Sequence, residues 1–186
     1  ATGIGFPVAV KIVSPQAVHK TEVGGVALNL ASTGHAVEAA QAMSNRLLAA
    51  EPAAVIEGYL IQKMVKGLEV IVGVRDDPQF GAVLALGIGG VMVEATRDVA
   101  FRLLPITKED VADMIEELRS KAVLGAFRGA APRDVDALSN SVVGLSNSWP
   151  TLQGRVSDIE INPIMVGAEG DGVIAVDIRY IEREKH

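Results

Sequence analysis

What most constrains this chain is a dense run of short apolar segments between residues 59 and 94, with only a few turn-forming residues separating one from the next. The segments are 59–65, 68–74, 82–86 and 91–94, joined through Lys66-Gly67, Arg75-Asp76-Asp77-Pro78 and Gly87-Ile88-Gly89-Gly90. Val, Ile and Leu recur within the segments, and Gly, Pro and Asp fill the joints, as strands and tight turns require. A parallel pair needs a crossover of about a dozen residues or more, so neighbours this close are expected to pair antiparallel.

Around that block the pattern alternates between strand and helix. Residues 8–13, Val-Ala-Val-Lys-Ile-Val, read as a strand stopped by Ser14-Pro15, and a second short strand covers 26–30. A helix is expected over 34–50, with Val37, Ala40, Met43 and Leu47 along one face, Ser32 or Thr33 at its start and Glu51-Pro52 at its end. A second helix starts from Thr107, with Asp110 completing a capping box and Val111, Met114, Ile115 and Leu118 facing inward. A third, over 133–147, buries Val135, Leu138, Val142 and Leu145, and two strands, 156–162 and 173–178, close the chain. Strand, helix, strand block, two helices and a closing hairpin spell an α+β fold rather than a doubly wound sheet. With 186 residues the chain has room for one ordinary domain or two small lobes.

Composition excludes several functions. There is no Cys, which removes disulfides, zinc–thiolate sites and cysteine nucleophiles. A net charge of −6 and only seven aromatic residues (four Phe, two Tyr, one Trp) argue against nucleic acid as a partner. No apolar run reaches the length of a membrane span and no basic-then-apolar leader opens the sequence, so no membrane partner and a cytoplasmic location are expected.

The closing hairpin carries the sharpest geometric inference. If residues 167–172 form its loop, Val166 faces Val173, and counting back sets Asn162 opposite Asp177 and Glu160 opposite Arg179. Asp158, Glu160, Asn162, Asp177 and Arg179 then share a polar face, with Ile159, Ile161, Val176 and Ile178 on the other. An amide and a carboxylate side by side suit Mg²⁺, which takes one or two such oxygens and fills the rest of its shell with water or phosphate. A solvated face with an ordinary Glu160–Arg179 ion pair is the plain alternative, and Pro163, which lacks a ladder donor, can shift the register.

His19 lies next to Lys20 in the stretch His19-Lys20-Thr21-Glu22-Val23-Gly24-Gly25. A base, a metal ligand, a phosphoryl acceptor and an incidental surface histidine are all open to it. Gly24 and Gly25 can offer backbone N–H groups to a phosphate, and Lys11 can add a point charge. Gly87-Ile88-Gly89-Gly90 is not a dinucleotide fingerprint, because Met92 stands at the third glycine position and a strand follows. The G-x-x-x-x-G-K-[ST] phosphate loop and the G-x-S-x-G elbow are both absent.

Taken in order, these segments resemble the ATP-grasp domain of NDP-forming acyl-CoA synthetases, relatives of succinyl-CoA synthetase β subunits. The residues that carry the likeness are Gly5-Phe6-Pro7-Val8-Ala9-Val10-Lys11-Ile12, Ser14-Pro15, His19 to Val26, Ile61-Gln62-Lys63-Met64-Val65 and Gly67 to Val74. Asp77-Pro78-Gln79-Phe80-Gly81, Gly87 to Val91 and Glu160-Ile161-Asn162-Pro163 complete it. The resemblance implies a first lobe over 1–65 with the histidine loop and a second over 66–186 with a metal-binding hairpin. By the same resemblance the family's domain begins with a helix–strand lead-in upstream of Gly5.

The resemblance also assigns roles. His19 is the phosphoryl acceptor, Lys11 meets the nucleotide phosphates, Gly24 and Gly25 close over them, and Gln62 to Val65, including Met64, form a hinge that reads the base. Glu69 contacts the nucleotide, and Asn162 and Asp177 hold magnesium. The implied cofactors are ATP/ADP or GTP/GDP with Mg²⁺. The implied partner is a CoA-binding ligase domain or α-type subunit that brings CoA and a small carboxylic acid. Three functions fit: a phosphoryl-transfer piece of an acid–thiol ligase, a regulatory module that binds nucleotide without chemistry, and a remnant of the fold.

Overall fold

A computed structural model describes residues 3–16, 23–89, 97–127 and 129–183. The chain divides into two compact units, Ala1–Met64 and Val65–His186.

The first unit is a three-stranded antiparallel sheet in the order β2-β1-β3, made of β1 (Val8–Val13), β2 (Val26–Leu30) and β3 (Gly58–Lys63). One helix, α1 (Thr33–Ala50), packs on it, and Ser32 caps the helix by accepting a hydrogen bond from His35 N at 3.2 Å. Val8, Val10 and Ile12 meet Ala36, Met43 and Leu47 of α1 in a small core. Val37 does not join them, being 59% exposed. The buried face is set one position earlier, at Ala36, so that alanine rather than a branched side chain lies beneath the helix.

The second unit is a six-stranded sheet in the order β6-β5-β4-β7-β8, with β9 also paired to β7. Its strands are β4 (Leu68–Asp77), β5 (Gly81–Ile88), β6 (Val99–Leu103), β7 (Val156–Val166), β8 (Val173–Ala175) and β9 (Ile178–Glu182). Every pairing between the named strands is antiparallel. Two helices, α2 (Lys108–Glu117) and α3 (Val135–Leu152), contribute to its core. Val70, Val72 and Val74 of β4, Leu84 and Leu86 of β5, and Ile164 and Val166 of β7 are buried with Val111, Met114, Leu138, Val142 and Trp149. The capping box at Thr107 and Asp110 forms as expected, and Leu118, also expected inside, is 2% exposed.

Several boundaries differ from the sequence reading. Lys66-Gly67 does not turn a hairpin: β3 pairs with β1, while β4 pairs with β5 and β7, in a different sheet. Arg75 and Asp76 continue β4 instead of starting a turn, because Arg75 pairs with Asp158 at 2.7 Å and Asp76 with Arg183. The turn begins at Asp77, whose carboxylate accepts from Gln79 N at 2.8 Å and Phe80 N at 3.0 Å. β5 runs on to Ile88, and Gly89 N still reaches Glu69 O at 2.7 Å. α3 continues through Pro150 and buries Ser146 and Trp149, while Val135 and Leu145 are only partly covered. The segment expected as a strand over 91–94 lies outside the described residues.

Candidate functional site

In the first unit the middle strand sets the geometry. Val8, Val10 and Ile12 face α1, so alternation turns Ala9 and Lys11 to the other side of the sheet. Lys11 is 4% exposed and stands in register between Val26 of β2 and Leu60 of β3. Gln62 faces Ala9 across the β1–β3 pair, placing it on the same face as Lys11 at a diagonal position. Met64 N donates to Pro7 O at 3.2 Å, which holds the end of β3 beside the start of β1.

Gly25 O accepts from Ile12 N at 2.9 Å, tying the glycine pair to the residue after Lys11. Gly24 has a φ of 60°, in the left-handed region, and the Arg46 guanidinium donates to its carbonyl at 2.7 Å. A Cβ at Gly24 would meet Arg46 Nε at 2.9 Å, so both backbone and space favour glycine here. His19, with Lys20, Thr21 and Glu22, lies outside the described residues.

In the second unit the chemistry lies on the sheet face turned away from the core. The hairpin register is the one obtained by counting. Val166 faces Val173, Glu160 faces Arg179, and Asn162 N donates to Asp177 O at 3.0 Å. Pro163 does not disturb this pair, since its carbonyl accepts from Val176 N at 3.0 Å. Its effect appears on the other flank: Val70 faces Ile164 but Val72 faces Ile161, so Asn162 and Pro163 together stand opposite Ile71 as a bulge. Glu69 is exposed, faces Met165 across β4–β7, and lies on the same side of the sheet as Glu160 and Asn162. Ile159 and Ile161 pack into the core as expected, but Ile178 is 54% exposed at the sheet edge.

The Glu160–Arg179 ion pair of the plain alternative is not found among the described residues. Glu160 Oε1 instead accepts from Asn162 Nδ2 at 3.0 Å. That bond occupies the donor end of the amide and leaves Asn162 Oδ1 as its acceptor oxygen, with Asp177 supplying a carboxylate from the opposite strand. No group of three or more His, Cys, Asp or Glu side chains is placed to cage a metal among the described residues. The Asn162–Asp177 donor set therefore fits a hard cation that keeps water or phosphate oxygens in its shell, as Mg²⁺ does.

The loop of this hairpin is fastened by a group the sequence reading passed over. Asp134 caps α3 by accepting from Ala137 N at 3.0 Å, and its second oxygen accepts from Gly170 N at 3.0 Å and Gly172 N at 2.9 Å. The hydrogen bond from Ala137 N, then that from Gly172 N, then that from Gly170 N, hold its carboxyl below the ordinary carboxylate value, against the opposing pull of burial. An Asp just before an apolar helical run is the signal for such a cap, and the expected start at 133 stepped over it.

Two units of antiparallel sheet backed by helices, one with a lysine on its central strand and the other with an amide–carboxylate hairpin, define an ATP-grasp fold. The chain belongs to the ATP-grasp domain family, whose pattern matches residues 1–181. It is 41% identical over 179 residues to the β subunit of acetate–CoA ligase (ADP-forming) I from Pyrococcus furiosus, covering 96% of this chain and 76% of that subunit. Among solved structures, PH1788 from Pyrococcus horikoshii superposes with a TM-score of 0.90 at 36% identity, over 100% of this chain and 78% of that one. The dinucleotide-forming acetyl-coenzyme A synthetase 1 of Ca. Korarchaeum cryptofilum, solved with coenzyme A and Ca-AMPCP, gives 0.88 at 37% identity, over 98% of this chain and 79% of that one. The homologues are acid–thiol ligases of the ADP-forming acetate–CoA type. No helix among the described residues is long and apolar enough to cross a membrane.

Proposed function

We propose that the chain is the nucleotide- and magnesium-binding phosphoryl-transfer module of an NDP-forming acyl-CoA synthetase, acting in the cytoplasm with a CoA-binding ligase domain or α-type subunit. The net reaction is acyl-CoA + phosphate + NDP ⇌ acid + CoA + NTP. The observation that carries this reading is the strand register that sets Asn162 against Asp177, with Glu160 holding the amide.

In the first step, on the partner, phosphate displaces CoA from the acyl group and leaves an acyl phosphate. The His19 imidazole nitrogen then takes the phosphoryl group and releases the carboxylic acid. A terminal oxygen of NDP attacks the phosphorus, the N–P bond breaks, and His19 returns to neutral imidazole. Lys11 is a point charge on the nucleotide phosphates, Gly24 and Gly25 offer N–H groups, Gln62 to Val65 read the base, and Glu69 contacts the nucleotide. Asn162 and Asp177 hold the magnesium ion, which when bound neutralises charge along the phosphates. The acid is brought by the partner, and the nucleotide is ATP/ADP or GTP/GDP.

The test is calorimetric titration of the chain with ATP and MgCl₂, followed by incubation with γ-labelled ATP. Wild type is expected to bind and to carry an acid-labile, base-stable label that His19→Ala lacks. Binding without any label favours a nucleotide-binding module without chemistry, and failure of wild type to bind overturns the reading.

A further inference from the structure

The polar face of the hairpin carries a cation that neither the proposed roles nor the core accounts for. Arg179, on β9, is half-buried, and its Nε is buried with no hydrogen-bond acceptor among the described residues. Its direct cross-strand neighbour is Glu160, yet that carboxylate is joined to Asn162, and no ion pair forms between Glu160 and Arg179. A buried guanidinium N–H left without an acceptor loses its water without replacement, which is among the more costly arrangements a side chain can adopt. The surrounding residues give the reason it is kept. Asp177 and Asn162 form the next cross-strand pair, on the same face and two residues along each strand. The spacing from Arg179 to that pair, about 7–8 Å on the diagonal between Cα atoms, is one that a phosphate bound to a cation can bridge.

We propose that Arg179 is a phosphate-binding residue, the terminal N–H groups of its half-buried guanidinium donating to an oxygen of the nucleotide's terminal phosphoryl group while Asn162 and Asp177 hold the associated cation. The inference rests on the nucleotide reading above and adds to it a second positive charge, on the second unit, that acts on the phosphates and not on the base. A planar guanidinium suits this place because it stays charged beside Glu160 and directs its N–H groups in fixed directions.

The experiment titrates full-chain wild type, Arg179→Gln and Arg179→Lys with AMP, ADP and ATP in MgCl₂, and separately with inorganic phosphate in MgCl₂. Loss of one charge-assisted hydrogen bond is expected to weaken ATP binding by roughly ten- to a hundredfold in Arg179→Gln, with AMP affinity changed by less than about twofold. Arg179→Lys, which keeps the charge, should fall between wild type and Arg179→Gln for ATP. Inorganic phosphate competing at the same residue, with ATP affinity unaffected by the substitution, would assign Arg179 to free phosphate and overturn the proposal. Equal losses for AMP and ATP would mark it as structural and also overturn it. If wild type binds ATP and both variants match it, the Arg179 inference fails alone; if wild type binds no nucleotide, the reading beneath it fails as well.

Discussion

Two glycines in the second unit make a matched pair whose alanine variants should move stability in opposite directions. Gly67 precedes β4, and a Cβ built there would lie 2.8 Å from Val166 O, 3.1 Å from Val166 C and 3.2 Å from Val166 N. Ordinary contact starts near 3.4 Å, so the methyl is short of room by about 0.6 Å, and every atom it meets is backbone of β7. Leu68 pairs directly with Val166, so relief means loosening that end of the ladder. Overpacking of this kind costs about 1–3 kcal/mol, and a weakened ladder hydrogen bond adds about 1 kcal/mol. Against these stands about 0.4–1 kcal/mol regained by restricting the unfolded chain. Gly67→Ala should therefore destabilise by about 1–3 kcal/mol. Gly144 sits in the exposed middle of α3 with nothing within 4 Å of its added Cβ, so Gly144→Ala should stabilise by about 0.5–1 kcal/mol. Thermal unfolding followed by circular dichroism reads both, at roughly 3–6 °C per kcal/mol for a unit of this size. A Gly67→Ala protein as stable as wild type would refute the claim that β4 and β7 are held too closely here to admit a methyl group.

Two other perturbations test the fold around the site. Asp134→Asn should lower the urea midpoint at neutral pH, since the amide is a weaker acceptor for Ala137, Gly170 and Gly172 N–H. The native carboxyl is held below its ordinary value, so its stabilisation is full above that value and is lost as pH falls through the native one. The gap between wild type and variant should therefore close on acidification, and a gap constant from pH 7 down to about 3 would contradict the assignment. Leu138→Ala, at a side chain with 0% exposure in the α3 core, should cost about 2–5 kcal/mol in chemical denaturation. A loss under about 1 kcal/mol would mean that α3 does not anchor the sheet.

How much was legible in the sequence depended on whether the controlling interaction was local. β1, β2, the Thr107 capping box and the hairpin register follow from runs of neighbouring residues, and the structure places all of them as read. β6 was hidden for a physical reason. Arg102 faces Leu84 on the covered side of the sheet while Phe101 and Leu103, 60% and 56% exposed, point the other way, so the usual alternation is inverted. The arginine is tolerated because its guanidinium reaches Glu117 of α2 at 2.5 Å, a partner fifteen positions further along the chain. The extension of β4 through Arg75 and Asp76 depends likewise on Asp158 and Arg183, far along the chain. At the candidate site, the face shared by Asn162, Glu160 and Asp177 could be counted from the loop. The Glu160–Asn162 hydrogen bond and the exclusion of Arg179 from it could not, because rotamers and not register decide them.

The bulge at Asn162 and Pro163 bears on how such chains can change length over evolutionary time. Before it, residues 159 and 161 point into the core; after it, residues 164 and 166 do, so β7 changes parity at this level. The partner strand changes parity at the same level, since residue sums across the hairpin stay constant from Glu160–Arg179 to Val166–Val173. Deleting one residue from either strand would leave the two out of step and turn half of the apolar residues outward. Deleting Pro163 and Val176 together would return every pair to register and leave a regular strand. Insertions and deletions at this crease should accordingly appear among relatives as matched pairs, one in each strand, and singly almost never.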